Sequence, residues 1–371
     1  MKLFLRFSAV IAAVCAGFLI YSTFNAQDIP SYKFELAEES TAKAKELGTA
    51  VKLKLRAMTD DRFEYDFYLN TSRHSQAVDG GDVIGSSART DNWIAQAQVL
   101  LKEDEIAGSK DLRASFVFDS LQFEFNDGQQ GFAGFIGQGR GQGKDKQETG
   151  FVSRRGAERN SVVNIPGWPG VAASEVNRLR GTQAISPAGN MSFNVAETGR
   201  VYAETYFADF DGPDQRCYPA RLIDPLQLVL YMWPEFAADA SVKVGDTIIA
   251  RRRFPVGVLT GETVMYEFSY KLEKTYGKAE EPTAALFSFT AKPVSANAVT
   301  QRLRGLDTSV TPGEIKGGTL LLDQVKGVPV NVNFKFGVTG KVSEPGSANN
   351  MDFAADVEFS SSLRKPQEAK K

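Results

Sequence analysis

Three carboxylates fall within six residues in Ala208-Asp209-Phe210-Asp211-Gly212-Pro213-Asp214, a spacing that invites a calcium loop. Such a loop needs oxygen ligands at positions 1, 3 and 5, Gly at 6 and Glu at 12. Here Pro213 takes position 5, Asp214 position 6 and Ala220 position 12, so an acidic turn between strands is the better reading. The only His, His74, sits in the polar run Asn70-Thr71-Ser72-Arg73-His74-Ser75 after an apolar strand pattern, and reads as an exposed loop residue. No Gly-x-Ser-x-Gly elbow accompanies it, so a serine triad has no nucleophile of that type. Gly137-Gln138-Gly139-Arg140-Gly141-Gln142-Gly143-Lys144-Asp145 departs from a phosphate loop twice, at Gln138 and at Asp145. Cys15 and Cys217 are the only cysteines, too few for a zinc or iron–sulfur set. No metal, cofactor or catalytic residue is therefore assigned.

Arg251, Arg252 and Arg253 follow a strand-like segment, and Arg154 and Arg155 flank a glycine-rich stretch. Three consecutive arginines cannot all face a core, so a solvated strand end or protected sheet edge is expected. A surface for an anionic partner is the alternative. With Trp233, Phe334 and Phe336, these arginines make up the expected partner or ligand surface. Net charge is -2, and removing Lys2 and Arg6 leaves the remainder more acidic, which speaks against a nucleic-acid partner.

The elements that would position these groups read mainly as β-strands. Phe63, Tyr65, Phe67 and Leu69 alternate with polar residues, as do Val51, Leu53 and Leu55, and Ala95, Ala97, Val99 and Leu101. Tyr32, Phe34 and Leu36 show the same period, although Glu35 to Leu47 has helical composition with Gly48 as a stop. Phe116 and Phe118 change phase at Asp119 before Leu121, Phe123 and Phe125, which predicts a bulge or tight turn there. Later runs are Val264 to Leu272, Val328 to Val338 and Phe353 to Phe359. Strands of seven to eleven residues fit strongly curved antiparallel sheets or an open barrel. One helix begins at Pro225, with Asp224 as N-cap, and ends before Pro234. Leu226, Leu228, Val229, Leu230, Met232 and Trp233 surround it, so it must be covered on most sides. Ile165 to Gly170 reads as a rigid turn and Ser174 to Arg180 as two helical turns.

Phe7 to Phe24 are uncharged and follow Lys2 and Arg6, the pattern of an amino-terminal membrane helix or a signal peptide. Cleavage after Ala26 would put Phe24 at -3, a poor site. Eighteen apolar residues sit at the lower limit for crossing a bilayer. Either reading exports Asp28 onward, as a single-pass anchored domain on the periplasmic side of the inner membrane or as a secreted or periplasmic one. The expected organisation is 1–27 as anchor or signal peptide, 28–160 as a first β-rich lobe with a glycine-rich loop at 128–150, 161–360 as a second lobe and 361–371 as a basic tail.

Phe118-Asp119-Ser120, Leu179-Arg180-Gly181, Ser186-Pro187-Ala188-Gly189-Asn190-Met191, Val242-Lys243-Val244-Gly245-Asp246-Thr247 and Gly318-Thr319-Leu320-Leu321-Leu322-Asp323, with Gly327, carry a resemblance. In this order the chain resembles an uncharacterised family of exported bacterial β-rich proteins, a domain of unknown function. Ile248 stands where that family usually has Trp. The resemblance implies paired curved sheets similar to the half-barrels that carry lipoproteins or lipids in bacterial envelopes, and brings no catalytic residue. The expectation is a non-catalytic envelope protein, with its partners a membrane through the amino-terminal helix and a lipid or an envelope protein on a concave face lined by some of its 26 Phe. A scaffold subunit of an envelope assembly is the alternative, and a carboxylate-based hydrolase stands third.

Overall fold

The structure, a computed structural model, describes residues 32, 34–53, 61–79, 81–103, 111–126, 131–137, 150–153, 162–165, 168–172, 190–207, 225–256, 262–295, 297–303, 306–343, 345 and 350–364. Helix α1 is Thr41–Leu47, and strands β1 (Ala50–Lys52), β2 (Asp61–Asp79), β3 (Asp82–Glu103) and β4 (Leu112–Asn126) follow. Next come β5 (Gly131–Gly137), β6 (Gly150–Ser153), β7 (Val162–Ile165), β8 (Trp168–Ala172), β9 (Asn190–Val195) and β10 (Val201–Phe207). Helix α2 is Pro225–Met232. The chain then forms β11 (Ser241–Lys243), β12 (Thr247–Pro255), β13 (Thr263–Gly277), β14 (Pro282–Pro293), β15 (Val299–Leu303), β16 (Leu306–Asp323), β17 (Val328–Ser343) and β18 (Asn350–Leu363).

Alternation decides the faces of these strands. Phe63, Tyr65, Phe67 and Leu69 point into the core, as do Ala95 to Leu101, Tyr266 to Leu272, Val328 to Val338 and Phe353 to Phe359 at every second residue. The phase change at Asp119 is a bulge: Gln96 pairs with Ser120 and Ala97 with Phe118, leaving Asp119 unpaired. The Gly245 and Gly327 turns stand between β11 and β12 and between β16 and β17.

Several expectations need correction. Strands are longer than expected: β2 runs 19 residues and β3 runs 22, because Asn70 to Val78 stays paired with both neighbours, with one register shift against β3 at Ala77/Val78. His74 is thus exposed within a strand, opposite Ala88 and Ala354, and not in a loop. Part of the glycine-rich stretch is strand β5, laddered to β4 from Gly131 to Gly137. Tyr32 and Phe34 to Leu36 are not in a strand. The chain crosses the end of the sheet as a strap, with Leu36 exposed, and among its described residues Glu39 alone makes a β-bridge, to Tyr276. Helix α1 does end at Gly48, which takes the left-handed conformation of a C-cap. Residues 1–31, holding the expected membrane helix, lie outside the described residues, and no described helix is long and apolar enough to cross a membrane.

One large antiparallel sheet joins both expected lobes. Its strand order is β10-β9-β4-β3-β2-β18-β17-β16-β14-β13-β12, with β5, β6 and β15 branching off. The first long strand, β2, pairs with the last, β18, from Val78↔Asn350 to Tyr65↔Leu363. Strand β9 joins the sheet on β4, so residues 190–207 belong beside the first block of strands. Of the three register shifts along β16, those at Pro312/Ile315 and Ile315/Gly318 lie beside Gly318, which the Phe289 ring covers, and the Phe353 ring lies on Gly340 of β17. A Cβ on either glycine would fall under 3 Å from the ring.

Candidate functional site

Helix α2 lies where the sheet's apolar faces converge. All eight of its residues are buried, and it touches β12, β18 and β9, strands from both ends and the middle of the strand order. In a flat sheet β10 and β12 would stand roughly 48 Å apart, at about 4.8 Å per strand step. Instead Arg253 of β12 donates to the Val201 carbonyl of β10 at 2.7 Å and pairs with Glu204. The sheet therefore turns back on itself around α2. Strands β10 and β12 are not laddered to one another among the described residues, so the barrel is not closed and a side-chain clasp spans the seam.

Tyr231 is the helix's central contact. Its ring lies 4.9 Å from Phe254, 5.3 Å from Phe334, 6.0 Å from Phe336 and 5.1 Å from Phe359 between centroids. Three of these pairs are edge-on, the arrangement aromatic quadrupoles favour. Gln227, one turn earlier, donates to the Tyr231 hydroxyl at 3.1 Å. Burial pushes the phenols of Tyr231, Tyr266 and Tyr270 above their ordinary range, so they stay neutral.

Arg252 faces inward, 3 % exposed, because it shares the parity of Ala250 and Phe254 on β12. Its guanidinium donates to the Leu230 and Trp233 carbonyls, the latter at 3.0 Å. Those are carbonyls at the helix's carboxyl end, where positive charge also meets the negative pole of the dipole. The guanidinium stacks 4.2 Å over Phe268. Just past the helix, burial raises the Glu235 carboxyl above its ordinary value of 4.5, and the charges of Arg252, Arg200 and Arg253 only partly offset this. Gly199 secures the same end: its φ is +87°, and a Cβ there would meet the Pro234 carbonyl oxygen at 2.0 Å.

Of the six residues expected to form a partner or ligand surface, Trp233, Phe334, Phe336 and Arg252 are core, each at most 3 % exposed. Only Arg251 and Arg253 reach the exterior. Arg251 is held by Glu267 at 2.8 Å, and Arg253 by the seam. Among the described residues the Trp233 indole N–H has no hydrogen-bond partner.

A second polar centre closes the strap end of the sheet, and single-residue patterns missed it. Asp323, 1 % exposed, accepts from the Val325 and Lys326 amides at 2.7 and 2.9 Å and from the Tyr32 hydroxyl. Lys326 pairs with Asp61 and stands 5.0 Å over the Tyr32 ring. The Tyr65 hydroxyl donates to the Pro329 carbonyl at 2.8 Å. Here each polar group is spent on holding chain segments together.

Asp209, Asp211, Asp214, Cys15, Cys217, Arg154, Arg155, Asp224, residues 138–145 of the glycine-rich stretch and Ser174 to Arg180 lie outside the described residues. Among the described residues, no three His, Cys, Asp or Glu side chains gather as a metal set. Neither the family models nor the curated proteins contain a match to the chain, so the resemblance read from its motifs stands on those motifs alone.

Proposed function

We propose that the chain is a non-catalytic protein of the bacterial cell envelope, tethered by Phe7 to Phe24, whose exported half-barrel-like domain binds a protein partner. The observation that carries this reading is the occupied concave face: α2 fills the aromatic wall of Phe254, Phe334, Phe336 and Phe359, and Arg252 pins its end. An apolar ligand on that face would have to expel a helix whose every residue is buried. A protein partner on the outer surface or on the open strand edges requires no such displacement. The scaffold role is continuous with this reading, since the sheet edges and the tether would position the domain against other subunits.

Crosslinking in intact cells tests the proposal. A discrete adduct with a second envelope protein is expected, and a chain that stays monomeric at every crosslinker concentration would count against it. The second reading, a hydrophobic ligand exchanged for α2, draws its support from the aromatic lining itself. It requires α2 to leave, so a disulfide tying α2 to β12 would abolish ligand uptake under that reading and leave partner crosslinking untouched under the first.

A further inference from the structure

The strap end of the sheet differs from the opposite end in how closely the chain ties it to the amino terminus. Tyr32 is fixed there twice, by its amide to the Arg62 carbonyl at 2.8 Å and by its hydroxyl to buried Asp323. The chain then crosses to the end of β13, where Gly277 donates to the Glu38 carbonyl and Ser40 to the Thr275 carbonyl, both at 2.9 Å. Leu36, between these two attachments, is 51 % exposed, and Val325, in the turn that Asp323 caps, is 49 % exposed. Leu47 at the end of α1, beside β13, is 53 % exposed. Three large apolar side chains thus stand in water at this end, as Val83, Met265 and Val294 do at the other, so the short tether is what sets the strap end apart.

We propose that this end, through Leu36 and Val325, rests on the surface of the membrane that holds the chain's own apolar segment. The proposal deepens the tethered reading above and rests on it. Only eight residue steps separate Phe24, the last residue of that segment, from Tyr32. Even fully extended they reach about 28 Å, so the strap end cannot move far from the bilayer. By contrast Val83 lies at the far end of β3, whose 22 residues extend on the order of 70 Å from Glu103. Apolar side chains flanking a short tether gain by entering the headgroup region, and the tether makes that contact effectively intramolecular.

The test uses the full chain with Cys15→Ser and Cys217→Ser, reconstituted in phosphatidylethanolamine–phosphatidylglycerol vesicles, some lipids carrying a headgroup nitroxide. A fluorophore is placed on Leu36→Cys, Val325→Cys, Val83→Cys or Met265→Cys, all exposed sites that tolerate a label. Quenching several-fold stronger at 36 and 325 than at 83 and 265 is expected. Adding Tyr32→Phe releases the strap from Asp323 and is expected to lower quenching at 325 towards the level at 83. Equal quenching at all four sites, with the intact mass still including residues 1–27, overturns the proposal and leaves the tether standing. A mature mass lacking those residues removes the tether itself, and the proposal with it.

Discussion

Arg252 shows how one residue can be misread from its neighbours. In a run of three arginines all read as surface, yet the period of two that places Phe254 in the core places Arg252 beside it. That signal was legible; what it would bond to was not, because Leu230 and Trp233 lie 22 and 19 positions away. Arg252→Met removes the donors of two buried carbonyls and is expected to cost about 3 kcal/mol in urea unfolding, at roughly 1–3 kcal/mol per orphaned group. Arg251→Ala, which breaks only an exposed pair, leaves the midpoint unchanged. Glu235 sets a pH dependence. Its folded pKa is raised, so the folded state holds the proton more tightly, and this contribution to stability is lost as pH rises from about 4.5 through the folded value. Glu235→Gln is expected to flatten thermal stability across that window and to gain on the wild type at neutral pH. A wild type that gains stability over the same range relative to Glu235→Gln would contradict the assignment.

At the scale of elements, helix α2 was readable from end to end. Pro225 opens it, Pro234 follows it, and apolar residues on all sides require cover. Its cover is the aromatic wall of three strands, β12, β17 and β18, so Tyr231→Ala is expected to destabilise by about 3–5 kcal/mol, as for other buried aromatic truncations. Denaturant unfolding monitored by tryptophan fluorescence gives the number directly. The Asp119 bulge was equally legible, since an extra residue must invert the phase of everything after it. Strand length was not. Asn70 to Val78 shows no apolar alternation, and it is a strand because β18 and β3 ladder it from both sides, a condition set by residues far along the chain. The strap was missed for a similar reason: Tyr32 and Asp323 are 291 positions apart.

For the whole molecule, eleven strands in one open path would make a flat, aggregation-prone sheet with two exposed edges. Curling around α2 brings those edges together, and Arg253 clasps them through Val201 and Glu204. Arg253→Ala is expected to raise hydrogen exchange in β10 and β12 selectively, while β2, β17 and β18 at the centre keep their protection. Uniform acceleration across the sheet would contradict a local clasp. A mainly β chain with large antiparallel sheets was readable from periodicity. The single sheet shared by both expected lobes was not, because the β2–β18 pairing joins residues from the two ends of the domain.

The concave face is filled by the protein's own helix, all eight residues of which are buried. Native mass spectrometry of the protein extracted in mild detergent, paired with solvent extraction of the same sample, tests this most directly. The polypeptide mass alone, with no stoichiometric lipid in the extract, is the predicted result. One equivalent of a bound lipid that survives detergent removal, and is lost when α2 is tied to β12 by a disulfide, would contradict it.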